Sequence, residues 1–109
     1  MTVSTHVLDA TLGTPAAGVP VSLAVAAVNG DDGWLAVESG VTGADGRHVF
    51  VARTEPGVHR LVFGTGGYFA ARGVAAFYPE VTITFTVAGG HYHVPLLLSP
   101  FAYSTYRGS

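Results

Sequence analysis

The segment Val81-Thr-Ile-Thr-Phe-Thr-Val87 is the clearest structural signal in the sequence, because apolar and threonine side chains alternate along it without interruption. A period of two places the apolar residues on one face of a β-strand and the threonines on the other. We therefore expect the four apolar residues to face a core and the three threonines to face outward.

Similar segments lie on both sides of this one, separated by turns rich in Gly, Pro, Asn and Asp. The motifs Asn29-Gly-Asp-Asp-Gly33 and Gly43-Ala-Asp-Gly46 are typical turns, while Ala10–Gly18 is expected to be a loop. The predicted strands are Thr2–Asp9, Val19–Ala27, Trp34–Val41, Arg47–Thr54, Val58–Phe63, Val81–Val87, His91–Leu98 and Phe101–Arg107.

Eight short strands with turns roughly every 8–12 residues predict an all-β protein, an antiparallel β-sandwich. One short helix of one or two turns is expected at Tyr68–Arg72, where Gly64-Thr-Gly-Gly67 interrupts the strand pattern. A chain of 109 residues closes one core but hardly two, so residues 1–109 are expected to form a single domain.

The composition excludes several kinds of chemistry. The chain has no Cys, and its five basic residues are all Arg, so thiol nucleophiles, thiolate metal sites, disulfides and Schiff-base lysines are excluded. Net charge is −2 and the arginines are scattered, which argues against a nucleic-acid partner. Only 11% of the residues are charged, against roughly 25% in an average domain, so we expect much of the surface to meet another subunit.

The N-terminal sequence lacks the basic region and apolar run of a signal peptide. No apolar run approaches the roughly 20 residues that span a bilayer. We therefore expect a cytoplasmic protein with no membrane partner.

Candidate chemistry concentrates in His91–Ser109. On a strand, His91 and His93 share one face about 6.6–7 Å apart. Such a pair could bind a metal with His6 as a third ligand, take part in proton transfer, or be structural, and spacing alone does not decide. Arg47 follows the Asp45-Gly46 turn, where glycine lets the backbone approach a neighbour closely.

Several of these motifs together resemble the transthyretin-like family, in particular its branch of hydroxyisourate hydrolases. The resemblance covers the whole chain and rests on Thr5-His-Val-Leu-Asp9, Gly13–Pro20, Asp45-Gly-Arg47, Tyr68-Phe69, Phe77-Tyr-Pro-Glu80, His91–Pro100 and Tyr103-Ser-Thr-Tyr-Arg-Gly-Ser109. The ending Tyr106-Arg-Gly-Ser109 is the specific part, because the transthyretin carriers replace it. Gly66-Gly67 and Tyr78 depart from the usual family residues but lie outside the motifs for activity.

The resemblance implies a prealbumin-like sandwich of two four-stranded sheets, assembled as a homotetramer, a dimer of dimers with active sites in the channel between dimers. It implies hydrolysis of the six-membered-ring amide of 5-hydroxyisourate, a small molecule, to 2-oxo-4-hydroxy-4-carboxy-5-ureidoimidazoline in urate catabolism. No cofactor and no metal is expected.

The residues that the resemblance implies for the site fall into two groups. The catalytic group is His6, Arg47, His93 and Ser109, and the substrate-binding group is His6, Arg47, Tyr106, Arg107 and Gly108. Arg47 is expected to bind a carbonyl or developing oxyanion. His6 or His93 is expected to act as general base, and the sequence does not say which.

Two alternatives remain open. The protein could be a carrier that uses the same channel without chemistry, or a zinc hydrolase with His6, His91 and His93 as ligands. His48 and His59 lie in predicted strands with no motif around them, so they are expected to tolerate glutamine.

Overall fold

A computed structural model describes all 109 residues and contains nine β-strands and one short α-helix. These elements are β1 (Thr2–Asp9), β2 (Thr14–Pro15), β3 (Pro20–Asp31), β4 (Trp34–Val41), β5 (Arg47–Val49), β6 (Gly57–Phe63), α1 (Thr65–Ala70), β7 (Val81–Val87), β8 (His91–Leu98) and β9 (Tyr103–Thr105). No helix has the length and apolar character needed to span a membrane.

The strands form two sheets, which confirms the predicted all-β sandwich with one short helix. One sheet has the order β4-β3-β6-β7, and the other has the order β2-β1-β8-β9, with β5 also paired to β1. The pair β1–β8 is parallel, whereas the sequence predicted antiparallel strands throughout. Short turns impose antiparallel pairing only on consecutive strands, and β1 and β8 lie at opposite ends of the chain.

Strand boundaries differ from the prediction in several places, and β9 is shorter, Tyr103–Thr105 instead of Phe101–Arg107. The predicted Ala10–Gly18 loop contains the two-residue strand β2, which pairs with the end of β1. Strand β3 continues to Asp31, so that the turn narrows to Asp32 and Gly33, which have φ angles of 53° and 83°. Strand β5 ends at Val49, after which isolated bonds such as Phe50 N–H to the Val3 carbonyl replace the ladder.

The alternating segment that predicts the fold is β7, and its apolar side chains face the other sheet as expected. Val81 and Val87 are buried, whereas Ile83 and Phe85 are half-buried. The two half-buried residues line an open cavity between the sheets, so this end of the sandwich is incompletely filled.

Helix α1 spans Thr65–Ala70 instead of the predicted Tyr68–Arg72, and it includes Gly66 and Gly67, which the sequence assigned to a break. Glycine disfavours a helix, but buried Tyr68 and Phe69 anchor this one to the core. The Tyr68 hydroxyl donates a 2.8 Å hydrogen bond to the Asp9 carboxylate. Burial, followed by this carboxylate, raises the pKa of Tyr68.

Candidate active site

His6, Arg47 and His93 lie on the outer face of the sheet that contains β1. The parallel register places Ser4 opposite His93 on β8, and the antiparallel register with β5 places His6 opposite Arg47. Residues opposite one another share a face of a sheet. The structure therefore brings these three predicted residues together, with His6 and His93 as diagonal neighbours.

The turn before β5 sets the position of Arg47. Gly46 has a φ of 76°, and a Cβ atom there would lie 2.4 Å from the carbonyl oxygen of Val7. The same approach lets Val7 N–H donate a 2.8 Å bond to the Gly46 carbonyl. Asp45 accepts a 3.0 Å bond from Arg47 N–H, so backbone contacts fix the residue while its side chain stays exposed.

His93 sits in an environment that favours its neutral form. Burial lowers the pKa of His93, and the positive charge of Arg47 lowers that pKa further, followed by His6 and His91. A neutral imidazole has one nitrogen free to accept a proton, which a general base requires.

Hydroxyl groups on β1 connect the two histidines of β8. His91 Nδ1 lies 2.6 Å from Thr2 Oγ1, and His91 Nε2 lies 2.8 Å from Ser4 Oγ. Ser4 Oγ is also 2.8 Å from His93 Nδ1, so both histidines share one hydroxyl. Sequence reasoning missed Thr2 and Ser4. Their spacing of two matches that of His91 and His93, but it becomes informative only once the β1–β8 register is known.

The backbone of the last residues lies against His93. Gly108 N–H donates a 2.8 Å bond to the His93 carbonyl. A Cβ atom at position 108 would lie 2.7 Å from His93 Cδ2, so glycine is required for this approach. Ser109, predicted to be catalytic, follows directly and is exposed.

Tyr106 and Arg107 lie at a different cavity from the three outer-face residues. The Arg107 guanidinium stacks 4.5 Å from the ring centroid of Tyr92, which points toward the sandwich interior. Tyr106, Arg107 and Tyr92 line a cavity of about 450 Å³ between the sheets. The apolar walls of this cavity include Ile83, Phe85 and Val94. In this structure the Arg107 guanidinium lies against Tyr92 and not against His93, and Tyr106 lines the same cavity. Their role in substrate binding stays a prediction.

The ligand set proposed for zinc is not assembled in this structure. No three His, Cys, Asp or Glu side chains lie close enough together to hold a metal ion. Both ring nitrogens of His91 are within hydrogen-bond distance of hydroxyl groups instead.

His59 proves to be a core residue. Its side chain is 1% exposed, and its ring nitrogens hydrogen-bond with the Gly57 carbonyl at 3.1 Å and the Thr54 hydroxyl at 2.7 Å. Replacing it would leave buried polar groups without partners. The structure removes the basis for expecting that His59 tolerates glutamine.

Comparison with known proteins gives consistent matches over almost the whole chain. The model of the HIUase/Transthyretin family matches residues 3–108. A probable 5-hydroxyisourate hydrolase of Caenorhabditis elegans is 44% identical, over 98% of this chain and 81% of that protein. The structure of Klebsiella pneumoniae 5-hydroxyisourate hydrolase is similar with a TM-score of 0.87 and 40% identity, covering 100% of both chains. Transthyretin from Sparus aurata has a TM-score of 0.88 and 31% identity, covering 97% of this chain and 95% of its own.

Proposed function

The chain belongs to the HIUase/transthyretin family, and we propose that it acts there as a 5-hydroxyisourate hydrolase. Identity supports the hydrolase branch, because it is 40–44% with the two hydrolases and 31% with the transthyretin. The observation that carries the proposal is the convergence of His6, Arg47 and His93 on one face, with His93 held in its neutral form. A carrier has no use for a base of this kind.

The first half of the reaction is addition of water to the ring amide. His93 takes a proton from water through Nε2, because Nδ1 is already engaged with Ser4. The water oxygen bonds to the carbonyl carbon, and the carbonyl π electrons move to oxygen. Arg47 binds the resulting oxyanion, a contact that can stabilise a transition state by about 3–4 kcal/mol.

The second half is collapse of this tetrahedral intermediate. The oxyanion re-forms a carbonyl, the carbon–nitrogen bond of the ring breaks, and the nitrogen takes a proton. We assign this proton donation to a histidine of the same face, either protonated His93 or His6. The product has one carboxylate more than the substrate, and the bond broken is that of a cyclic amide.

We also propose that the site is completed by assembly into a homotetramer, a dimer of dimers. The outer face that carries Arg47 is open in one chain, and apolar Val49 beside it is 62% exposed. Apposition of two such faces would exclude water from the substrate and cover apolar surface. A cytoplasmic location stays a prediction.

The proposed function is tested with 5-hydroxyisourate generated in the cuvette by urate oxidase. A protein concentration far below that of the substrate should accelerate decay of the near-ultraviolet band in proportion to the amount added. A carrier would leave the decay rate unchanged at that ratio. Zinc analysis of the purified protein and assay after chelation would test the zinc alternative, which requires stoichiometric metal and loss of activity.

A further inference from the structure

The shared hydroxyl of Ser4 constrains the protons of two histidines. Ser4 is 6% exposed, so water does not easily replace either of its imidazole partners. It has one proton and lies 2.8 Å from both His91 Nε2 and His93 Nδ1. Its single proton can go to only one of these nitrogens, so at least one of the two rings donates an N–H to it.

If Ser4 donated its proton to His93 Nδ1, neutral His93 would carry its own proton on Nε2 and could not act as a base there. If His93 Nδ1 carries the proton and donates it to Ser4, then His93 Nε2 is free to accept one. Ser4 then donates to His91 Nε2, and His91 Nδ1–H donates to Thr2, whose hydroxyl is 2.6 Å away. In this arrangement each of the three contacts, His93–Ser4, Ser4–His91 and His91–Thr2, has one donor and one acceptor.

We propose that Ser4 and His91 are positioning residues for His93, which keep its Nδ1 protonated and take up the positive charge when its Nε2 accepts a proton. This inference rests on the proposed function. The charge moves by two proton shifts: the His93 Nδ1–H bond breaks as a Ser4 O–H bond forms, and the original Ser4 O–H bond breaks as a His91 Nε2–H bond forms. His93 ends neutral and His91 ends as the cation.

The surroundings favour His91 as the place for that charge. His91 is exposed, so water can solvate an imidazolium there, whereas His93 is half-buried. The groups that act on His93 are Arg47 from β5, His6 from β1 and His91 from β8. Arg107 of the tail stacks on Tyr92 instead. Arg47 therefore opposes a lasting positive charge on His93 more directly than one on His91.

The first test needs no substrate. In protein labelled with ¹⁵N-histidine, NMR should show His93 protonated at Nδ1 near neutral pH. Ser4→Ala should shift His93 toward the Nε2–H form, because Nδ1 loses its acceptor, and Ser4→Thr should restore the Nδ1–H form. An unchanged tautomer in Ser4→Ala would overturn the inference.

The second test is kinetic. Ser4→Ala and His91→Gln should each lower kcat about tenfold or more with little change in KM, less than the roughly 10²–10⁴-fold expected from loss of the base itself. Ser39→Ala, at an exposed position on β4 of the other sheet, is the matched control and should keep full activity. Full kcat in both Ser4→Ala and His91→Gln would also overturn the inference. Failure of the wild-type protein to hydrolyse 5-hydroxyisourate would instead refute the proposed function. The His93 tautomer measured by NMR does not depend on that outcome, because it is measured without substrate.

Discussion

At the level of single residues, three separate groups set the position, the hydrogen bonding and the protonation state of His93. Gly108 fixes its backbone, Ser4 engages its Nδ1, and burial together with Arg47 keeps it neutral. Each control can be removed separately, because the three groups lie on different segments of the chain. Activity should therefore respond to substitutions that leave the core intact.

The first prediction concerns Gly108. Gly108→Ala places a methyl group 2.7 Å from His93 Cδ2, so the imidazole must move and the rate should fall by up to about 10²-fold. The melting temperature should change little, because Gly108 lies outside the core. Gly89→Ala is the matched control, since its Cβ would meet nothing within 4 Å. Equal activity of the two variants would show that the tail does not position His93.

The second prediction concerns the pKa of His93, which lies below its ordinary value of 6.5. Arg47→Gln should raise this pKa, because a positive charge disfavours the imidazolium, but burial is the larger cause and should keep it below 6.5. The unfolded chain binds the proton more tightly, so His93 destabilises the fold as pH falls from 6.5 through the lowered pKa. NMR titration of both proteins provides the check. A His93 pKa that is the same with and without Arg47 would contradict the geometry.

At the scale of elements, the turn before β5 delivers Arg47 to the site. Gly46→Ala should destabilise the protein and reduce activity, because the added methyl group meets the Val7 carbonyl at 2.4 Å and displaces the turn. Gly18→Ala is the matched control, since Gly18 has nearly the same φ, 77° against 76°, but nothing within 4 Å. Both variants share the strain of a positive φ, so the additional loss in Gly46→Ala, about 1–3 kcal/mol for overpacking, measures the contact. Urea unfolding with equal stability for the two would contradict this reading.

Local patterns predicted most elements, because alternation in β7 and the turns around it depends on neighbouring residues. The resemblance to the family implied that His6, Arg47 and His93 belong to one site. What they could not predict depends on contacts between distant segments. The parallel β1–β8 register brings Ser4 between two histidines, and packing of Tyr68 on Asp9 supports a helix through two glycines. The direction of Arg107 likewise depends on where the tail crosses β8.

At the level of the whole molecule, the tetramer is expected from the low charge fraction and the family resemblance, and the open outer face is where we propose that two dimers meet. Leu96 and Leu98 are 0% and 2% exposed in the core, so only Leu97 of this part of β8 points to the outer face. Leu97→Arg should split the assembly and abolish activity while circular dichroism still shows folded β-sheet. Light scattering should give the wild-type protein four times the chain mass of 11.2 kDa. A fully active monomer would refute the claim that assembly completes the site.

We propose that His93 is the base of a hydrolytic site, and the decisive measurement is the rate of 5-hydroxyisourate decay with wild-type protein and with His93→Asn. With folded protein at equal concentration, the wild type should accelerate the decay and His93→Asn should lose roughly 10²–10⁴-fold of that acceleration. Wild-type rates in the His93→Asn variant would show that His93 is not the base.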